Sequence, residues 1–493
     1  MGEIWRWPIC AGWPTGRESK EILEIYRDPG YNIHSKKIVW NLSLRMVRFV
    51  EQQLTTGKIG RSLILFSLPM ILGNLLQQLY NVADTLIVGK TIGPAALAAV
   101  GSAYALMVLL TSVILGLCMG SGVVFSQLYG AGRTDDMKTS IFNSGIFIFL
   151  VSAAINAAAF FCLERFIVWL SIPAEAVEYI RSYLRIIFAG MTFVSVYNFF
   201  AAVLRSVGNT VVPLIFLAVA AAVNIILDLV FILVFHLGTA GAALATVIAQ
   251  ALSAVCIAVY FFVRGRKLCP RRRHMRYDRA LLGKIISNSV LTSVQQSVMN
   301  LGILMVQGLV NSFGFAVSAA FAAVVKIDAF AYMPAQDFGN AFATFIAQNH
   351  GARETERIHR GIFTAIKMTC VFCLAASVCV FAFARPLMLM FVHPDETEII
   401  RIGVEYLRIE GSFYAGIGIL FLLYGLFRGL GRSSVSILLT VISLGSRIVL
   451  AYTLSALPAV GMTGIWWSVP IGWAMADAAG IFLWFRRHRF VTA

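Results

Sequence analysis

Four polar side chains in the first half of the chain have the types and spacing to bind a small cation. Asn224 and Asp228 stand at i and i+4, which stacks an amide above a carboxylate on a helix face otherwise made of Ala, Val, Ile and Leu. Thr246 follows on the next apolar run. Asp84 ends a face that also carries Gln77 and Asn81 at i, i+4, i+7. An ionised carboxylate is costly in hydrocarbon, so this face must line a cavity, meet a partner or hold a proton. Two carboxylates, two amides and a hydroxyl at one depth form an oxygen-rich pocket for a hard monovalent cation such as Na+, or for shared protons. Like charges resist double ionisation, so a proton or Na+ and a cationic substrate compete for the same negative site. Competition of that kind would couple the ion to the substrate, each favouring a different state of the lobe.

The elements that must hold these residues are membrane helices. Apolar residues make up 59% of the chain and charged residues only 13%. About twelve apolar runs of roughly 20 residues start near 62, 99, 139, 179, 211, 239, 282, 316, 361, 400, 434 and 461. Val211 to Phe235 is apolar on every face, which excludes the short alternating segments of a β-barrel.

The runs form two copies. Tyr183-Leu184-Arg185-Ile186 returns as Tyr406-Leu407-Arg408-Ile409, and Leu204 to Gly208 returns as Phe427 to Gly431, both 223 positions on. Gln127 to Ala131 returns as Gln348 to Ala352 at 221. The expected fold is therefore an all-α polytopic membrane protein of twelve transmembrane helices in two pseudo-symmetric six-helix lobes. Its expected domains are an N-terminal extension over 1–57, a first lobe over 58–264, a basic linker over 265–284, a second lobe over 285–487 and a tail over 488–493. At the same offsets Asn224 and Asp228 meet Arg447 and Ala451, and Asp84, aligned through Gln77-Gln78 and Gln295-Gln296, meets Gly302. The ionisable pocket is absent from the second copy, which marks the first lobe as the working one.

A net charge of +16 would suit nucleic acid, but the basic residues collect in alternate connections. Arg264, Arg266, Lys267, Arg271, Arg272, Arg273, Arg276, Arg279 and Lys284 crowd the linker, with further groups at Arg133 and Lys138, Arg353 to Arg360, and Arg486 to Arg489. The intervening connections near 89–98, 236–240, 312–316 and 456–462 carry almost none, so both termini are expected in the cytoplasm. The eight cysteines show no disulfide framework, and Cys370-x-x-Cys373 has no second pair or His to make a metal site. The first 57 residues lack an apolar signal core; they read as a cytoplasmic tail or as sequence ahead of a start at Met46.

The second copy has charges of its own. Lys326, Asp328 and Asp337 form a possible second site, and Arg447 is placed to pair with Asp337 or Asp477. Lys326 and Asp328 stand at i, i+2 and cannot meet each other on one helix. Arg205 and Arg428, repeated near cytoplasmic ends, read as lipid-phosphate or helix-end anchors. Pro69 removes a backbone donor inside the first span and so places a kink, and with it a candidate hinge, below Gln77. Gly116-x-x-x-Gly120 marks close helix packing.

With these residues in hand, the chain resembles the multidrug and toxic compound extrusion (MATE) transporters, and within them the DinF-like branch. The resemblance spans about 58 to 487 and rests on Phe66-Ser67-Leu68-Pro69 with Leu79 to Asp84, on Leu204 to Asn209, on Asn224 to Asp228, and on Lys326 to Pro334. It implies a V-shaped antiporter that expels organic cations in exchange for H+ or Na+. Asp84, Asn224, Asp228 and Thr246 would then form the cation site, with Asn198 as cavity lining and Pro69 as the bending point; Gln77 and Asn81, on the Asp84 face by spacing, are expected to line the same substrate cavity. The implied protein is a plasma-membrane monomer with no cofactor beyond the coupling ion, no nucleic-acid partner and no enzymatic activity. A flippase for lipid-linked sugars would share the fold, but needs cationic residues in the cavity to hold a diphosphate. An intramembrane aspartyl protease would use two aspartates, yet neither Ala83-Asp84 nor Leu227-Asp228 has a Tyr-Asp or Gly-x-Gly-Asp setting.

Overall fold

The computed structural model describes residues 53–169 and 176–487; the expectations for residues 1–52 and 488–493 lie outside this range. The first copy comprises α1 (Ile59–Thr91), α2 (Pro94–Gly130), α3 (Thr134–Phe161), the short α4 (Leu163–Trp169), α5 (Val177–Ser206), α6 (Val211–Leu229) and α7 (Gly238–Arg264). The second comprises α8 (Arg279–Ser312), α9 (Phe315–Gly351), α10 (Thr355–Ala382), the short α11 (Ala384–Leu389), α12 (Thr397–Gly411), α13 (Tyr414–Gly429), α14 (Ser433–Ser455) and α15 (Thr463–Arg487). Among the described residues eleven helices are long and apolar enough to cross a membrane, and α12 with α13 makes a twelfth span bent by 51°. The all-α, twelve-span architecture is the one expected.

Helix ends show the duplication directly. Gly93 and Gly314 precede α2 and α9 with φ of 117° and 99°, values open to glycine alone, so each lobe turns sharply between its first two spans. These glycines lie 221 apart. That register sets Asp84 opposite Met305, correcting the alignment to Gly302; the acid is absent from the second copy either way. Gly116 and Gly120 let α2 lie directly on α8, where an added Cβ would overlap the backbone of Ser293 and Ser289. Ser121 and Ser289 share a hydrogen bond of 2.8 Å at this seam, and Ser293 donates to the Val113 carbonyl at 2.9 Å.

The buried apolar residues fall into separate groups. One lies wholly within 306–476 and includes the stacked pair Tyr406 and Trp466, ring centres 4.1 Å apart. Two others lie within 88–285. A fourth belongs to both copies: Leu63, Phe66 and Met70 of α1 pack with Phe338, Phe342, Phe345 and Leu422. Farther along α1, Gly73 faces Leu214 and Leu217 of α6, and Val88 joins a first-lobe group. This helix begins on the second lobe and ends in the first. It runs through Pro69 without a break, and Pro69 sits where the packing changes from one lobe to the other.

Candidate functional site

A cavity of about 340 Å³ lies between the lobes. From the first lobe Asn74, Gln77, Tyr80, Asn198, Asn224 and Thr246 line it; from the second, Gln296, Asp337, Asn340 and Arg428 do. Asn74 donates to the Asp337 carboxylate, so α1 and α9 are tied together across the cavity. At the linker face the lobes close by reciprocal contacts. Gln127 of α2 donates to the Gly429 carbonyl at 2.9 Å, and Gln348 of α9 donates to the Ser206 carbonyl at 2.7 Å. Each glutamine thus satisfies a terminal carbonyl of a helix in the opposite lobe. A Cβ on Gly130 would overlap the Gln348 carbonyl, and one on Gly351 would overlap that of Gln127. The segment ahead of α1 joins the same closure: the Leu54 amide donates to Gln348 Oε1 at 3.2 Å, and Arg357 donates to the carbonyls of Leu54, Thr56 and Gly57.

The carboxylates singled out in the first copy border this cavity but are set back from it. Asp84 is 8% exposed and Asp228 fully buried. Asn224, one turn from Asp228, donates to Thr246 Oγ1 at 3.4 Å. Asp84 and Asp228 are near enough for their charges to interact, and both act on buried Tyr183. Among the described residues neither carboxylate meets a Lys or Arg, and Asp84 Oδ1, Asn224 Oδ1 and both Asp228 oxygens are buried without a hydrogen-bond partner. Unsatisfied buried oxygens are expensive, so this group of hard donors fits a proton or a small cation such as Na+. A π-helical turn, Val230–Val234, begins two residues after Asp228; such turns recur at functional sites, and the sequence carries no sign of this one.

Other expected site residues are dispersed. Gln77 and Asn198 line the cavity, whereas Asn81 does not and donates to Gln78 Oε1 at 3.3 Å. Lys326, Asp328 and Asp337 do not form one group. Lys326 is exposed, Asp337 lines the cavity, and Asp328 is enclosed in the second lobe, where Tyr414 donates to it. Arg447 makes no ion pair with Asp337 or Asp477 among the described residues; its charge acts on Asp328 instead. Arg205 and Arg428 are not lipid anchors, because both line the cavity. Arg428 is 3% exposed and donates to Asn340 Oδ1 at 2.7 Å, and Arg205 Nε is buried without a partner.

Three residues escaped the sequence reading. Asn74 continues the Gln77, Asn81, Asp84 face by one more turn and was accessible to the same spacing argument. Tyr80 lines the cavity from the adjoining face. Glu410 is 4% exposed beside Asp328 and closes an apolar repeat, where it stands in place of Ile187 of the first copy.

A two-lobed bundle of twelve spans around a polar central cavity has the plan of a membrane transporter. The chain belongs to the MatE family, whose model matches residues 69–230 and 289–453. It is 30% identical over 443 residues to the probable multidrug resistance protein YpnP of Bacillus subtilis (strain 168), covering 88% of this chain and 97% of that one. It is 26% identical over 450 residues to the probable multidrug resistance protein YoeA of the same strain, covering 90% and 96%. The fold matches that of a MOP superfamily transporter from Pyrococcus furiosus Vc1 (DSM3638), with a TM-score of 0.85 at 23% identity over 90% of this chain and 98% of that one.

Proposed function

We propose that this protein is a secondary active antiporter that exports organic cations, drugs among them, in exchange for H+ or Na+ by alternating access. Asp84, Asn224, Asp228 and Thr246 hold the coupling ion. The observation that carries the reading is the set of buried, unpartnered oxygens on Asp84, Asn224 and Asp228 beside a cavity that both lobes line. An ion bound there favours one arrangement of the first lobe, and a cationic substrate in the cavity favours its release. The relatives named as multidrug resistance proteins support drugs as the cargo. The protein works in the plasma membrane as a monomer with both termini in the cytoplasm.

The glutamine contacts at the linker face close the cytoplasmic side, and the cycle breaks them to load substrate. Arg205 and Arg428 add a second reading of the cargo, because two guanidiniums in the cavity suit a substrate that also carries an anionic group. Dye efflux from proteoliposomes, with a proton or a Na+ gradient imposed separately, tests both. Efflux driven by neither gradient rejects antiport, and export of an anionic dye in preference to a cationic one selects the second cargo.

A further inference from the structure

A second cavity, of about 780 Å³, opens on the second lobe at the membrane face opposite the linker. Its lining carries three guanidiniums, Arg385, Arg401 and Arg408, and one carboxylate, Glu405. Among the described residues none of the three arginines lies within 4.0 Å of an acid. The neighbouring loop has acids of its own, but Asp395 is taken by His393 at 3.0 Å, and Glu396 and Glu398 stand outside the lining.

The first lobe shows what this region looks like when its charges are satisfied internally. There Arg181 donates to Glu164 at 2.8 and 3.0 Å and to Glu178 at 2.7 Å, and Arg185 lies 3.9 Å from Glu164. Helices α3 and α10 stand 221 apart, which aligns Glu164 with Arg385. The repeated Tyr-Leu-Arg-Ile stands 223 apart, which aligns Glu178 with Arg401 and Arg185 with Arg408. Both glutamates that neutralise the first lobe are thus arginines in the second. Of the first lobe's two cations the cluster keeps Arg185 as Arg408 and loses Arg181 to Val404; it gains Arg385 and Arg401 in place of the two glutamates, and its one acid, Glu405, stands where the first copy has Ser182.

The surroundings state what the missing anion is attached to. Arg408 lies over the Phe381 ring at 5.3 Å. Phe413 and Trp467 meet edge to face at 5.8 Å, each 42% exposed, and Phe381 is 48% exposed. Helix α12, the outer half of the bent tenth span, lays Ile399, Ile402, Tyr406 and Leu407 inward and Arg401 and Arg408 outward, toward the end of the span where basic and aromatic side chains meet lipid headgroups. A soluble anion would satisfy the guanidiniums and leave the aromatic rim unused; a phospholipid occupies both.

We propose that this cavity binds the headgroup of an anionic phospholipid, with the phosphodiester on Arg385, Arg401 and Arg408 and the acyl chains along Phe381, Phe413 and Trp467. The test is native mass spectrometry of the detergent-purified full chain with phosphatidylglycerol or phosphatidylcholine added. Wild type retains phosphatidylglycerol preferentially. A basic side chain near anionic lipid contributes about fivefold in affinity, so R385E/R401E, which rewrites the site in the first lobe's image, lowers that preference by about 25-fold or more. R408Q lowers it about fivefold and serves where the double variant fails to fold. Equal retention of the two lipids by wild type overturns the proposal. So does an unchanged preference in R408Q or in a folded R385E/R401E. Displacement of the lipid by excess inorganic phosphate assigns the site to a free anion and also overturns it.

Discussion

The two lobes share one helical plan and bury their acids in different ways. In the first lobe α5 is a continuous helix, and its neighbours hold Asp84 and Asp228 with oxygens that no protein group satisfies. In the second lobe the same span is broken by 51° into α12 and α13, and Glu410 and Asp328 sit beside the break with Tyr414 donating to Asp328. Where the first copy has Phe188-Ala189-Gly190, the second has Gly411-Ser412-Phe413, so poor helix formers stand at the bend. The difference teaches that buried charge alone does not mark a working site. Asp328, served by a tyrosine inside a packed core, is part of the structure; Asp84 and Asp228, with oxygens left open beside a cavity, are available to an ion, and on the second lobe the same holds of Asp337, which lines that cavity with Oδ2 unpartnered.

The largest expected effect falls on the first lobe. Asp84→Asn and Asp228→Asn each keep the shape and remove the titratable charge. Coupling energies of about 1–3 kcal/mol correspond to roughly 5- to 150-fold, so gradient-driven efflux in proteoliposomes should fall by a factor in that range. Normal efflux from both variants would remove the first lobe's claim. Next comes the closure at the linker face. Gly130→Ala drives a Cβ against the Gln348 carbonyl, an overpacking of about 1–3 kcal/mol that the backbone cannot relieve without separating the lobes. Spin labels at positions 133 and 353 should then report a longer inter-lobe distance, and an unchanged distance would show that the contact is not a closure.

A smaller effect sharpens the contrast from the other side. Glu410→Ile installs the residue of the first copy and removes a buried oxygen, Oε2, that has no partner, so thermal stability should rise by about 1–3 kcal/mol with efflux little changed. Collapse of efflux there, comparable to that of Asp84→Asn, would make the second lobe a coupling lobe as well. The smallest effect is expected for Pro69→Ala, which restores one backbone donor to α1 and should slow efflux several-fold without altering substrate affinity.

Much of the fold was legible because apolar runs of spanning length and a doubled set of motifs leave few alternatives. The bend of the tenth span was not, since hydropathy is indifferent to direction and Gly411-Ser412 passes within an apolar stretch. In the site, spacing along one helix was readable: Asn224 with Asp228, and Gln77 with Asp84. Relations between helices were not. Asp328 and Asp337 are close in sequence yet serve the lobe interior and the central cavity respectively. Arg205 and Arg428 were misread because their position near a helix end says how deep they sit and nothing about whether they face lipid or the axis between the lobes. Lys326, by contrast, is exposed and joins no ion pair among the described residues.

Helix α1 imposes a mechanical condition on any rocking motion. Its leading residues are strapped to the second lobe by Arg357 and Asn349, and its far end is embedded in the first. A rod clamped in two bodies that rotate against each other has to flex, slip or let go. The weakest point along its length is the proline turn, where one rung of the ladder is missing, so flexure concentrates there and the strap at Leu54 to Gly57 governs how much of the stroke is transmitted to the far end.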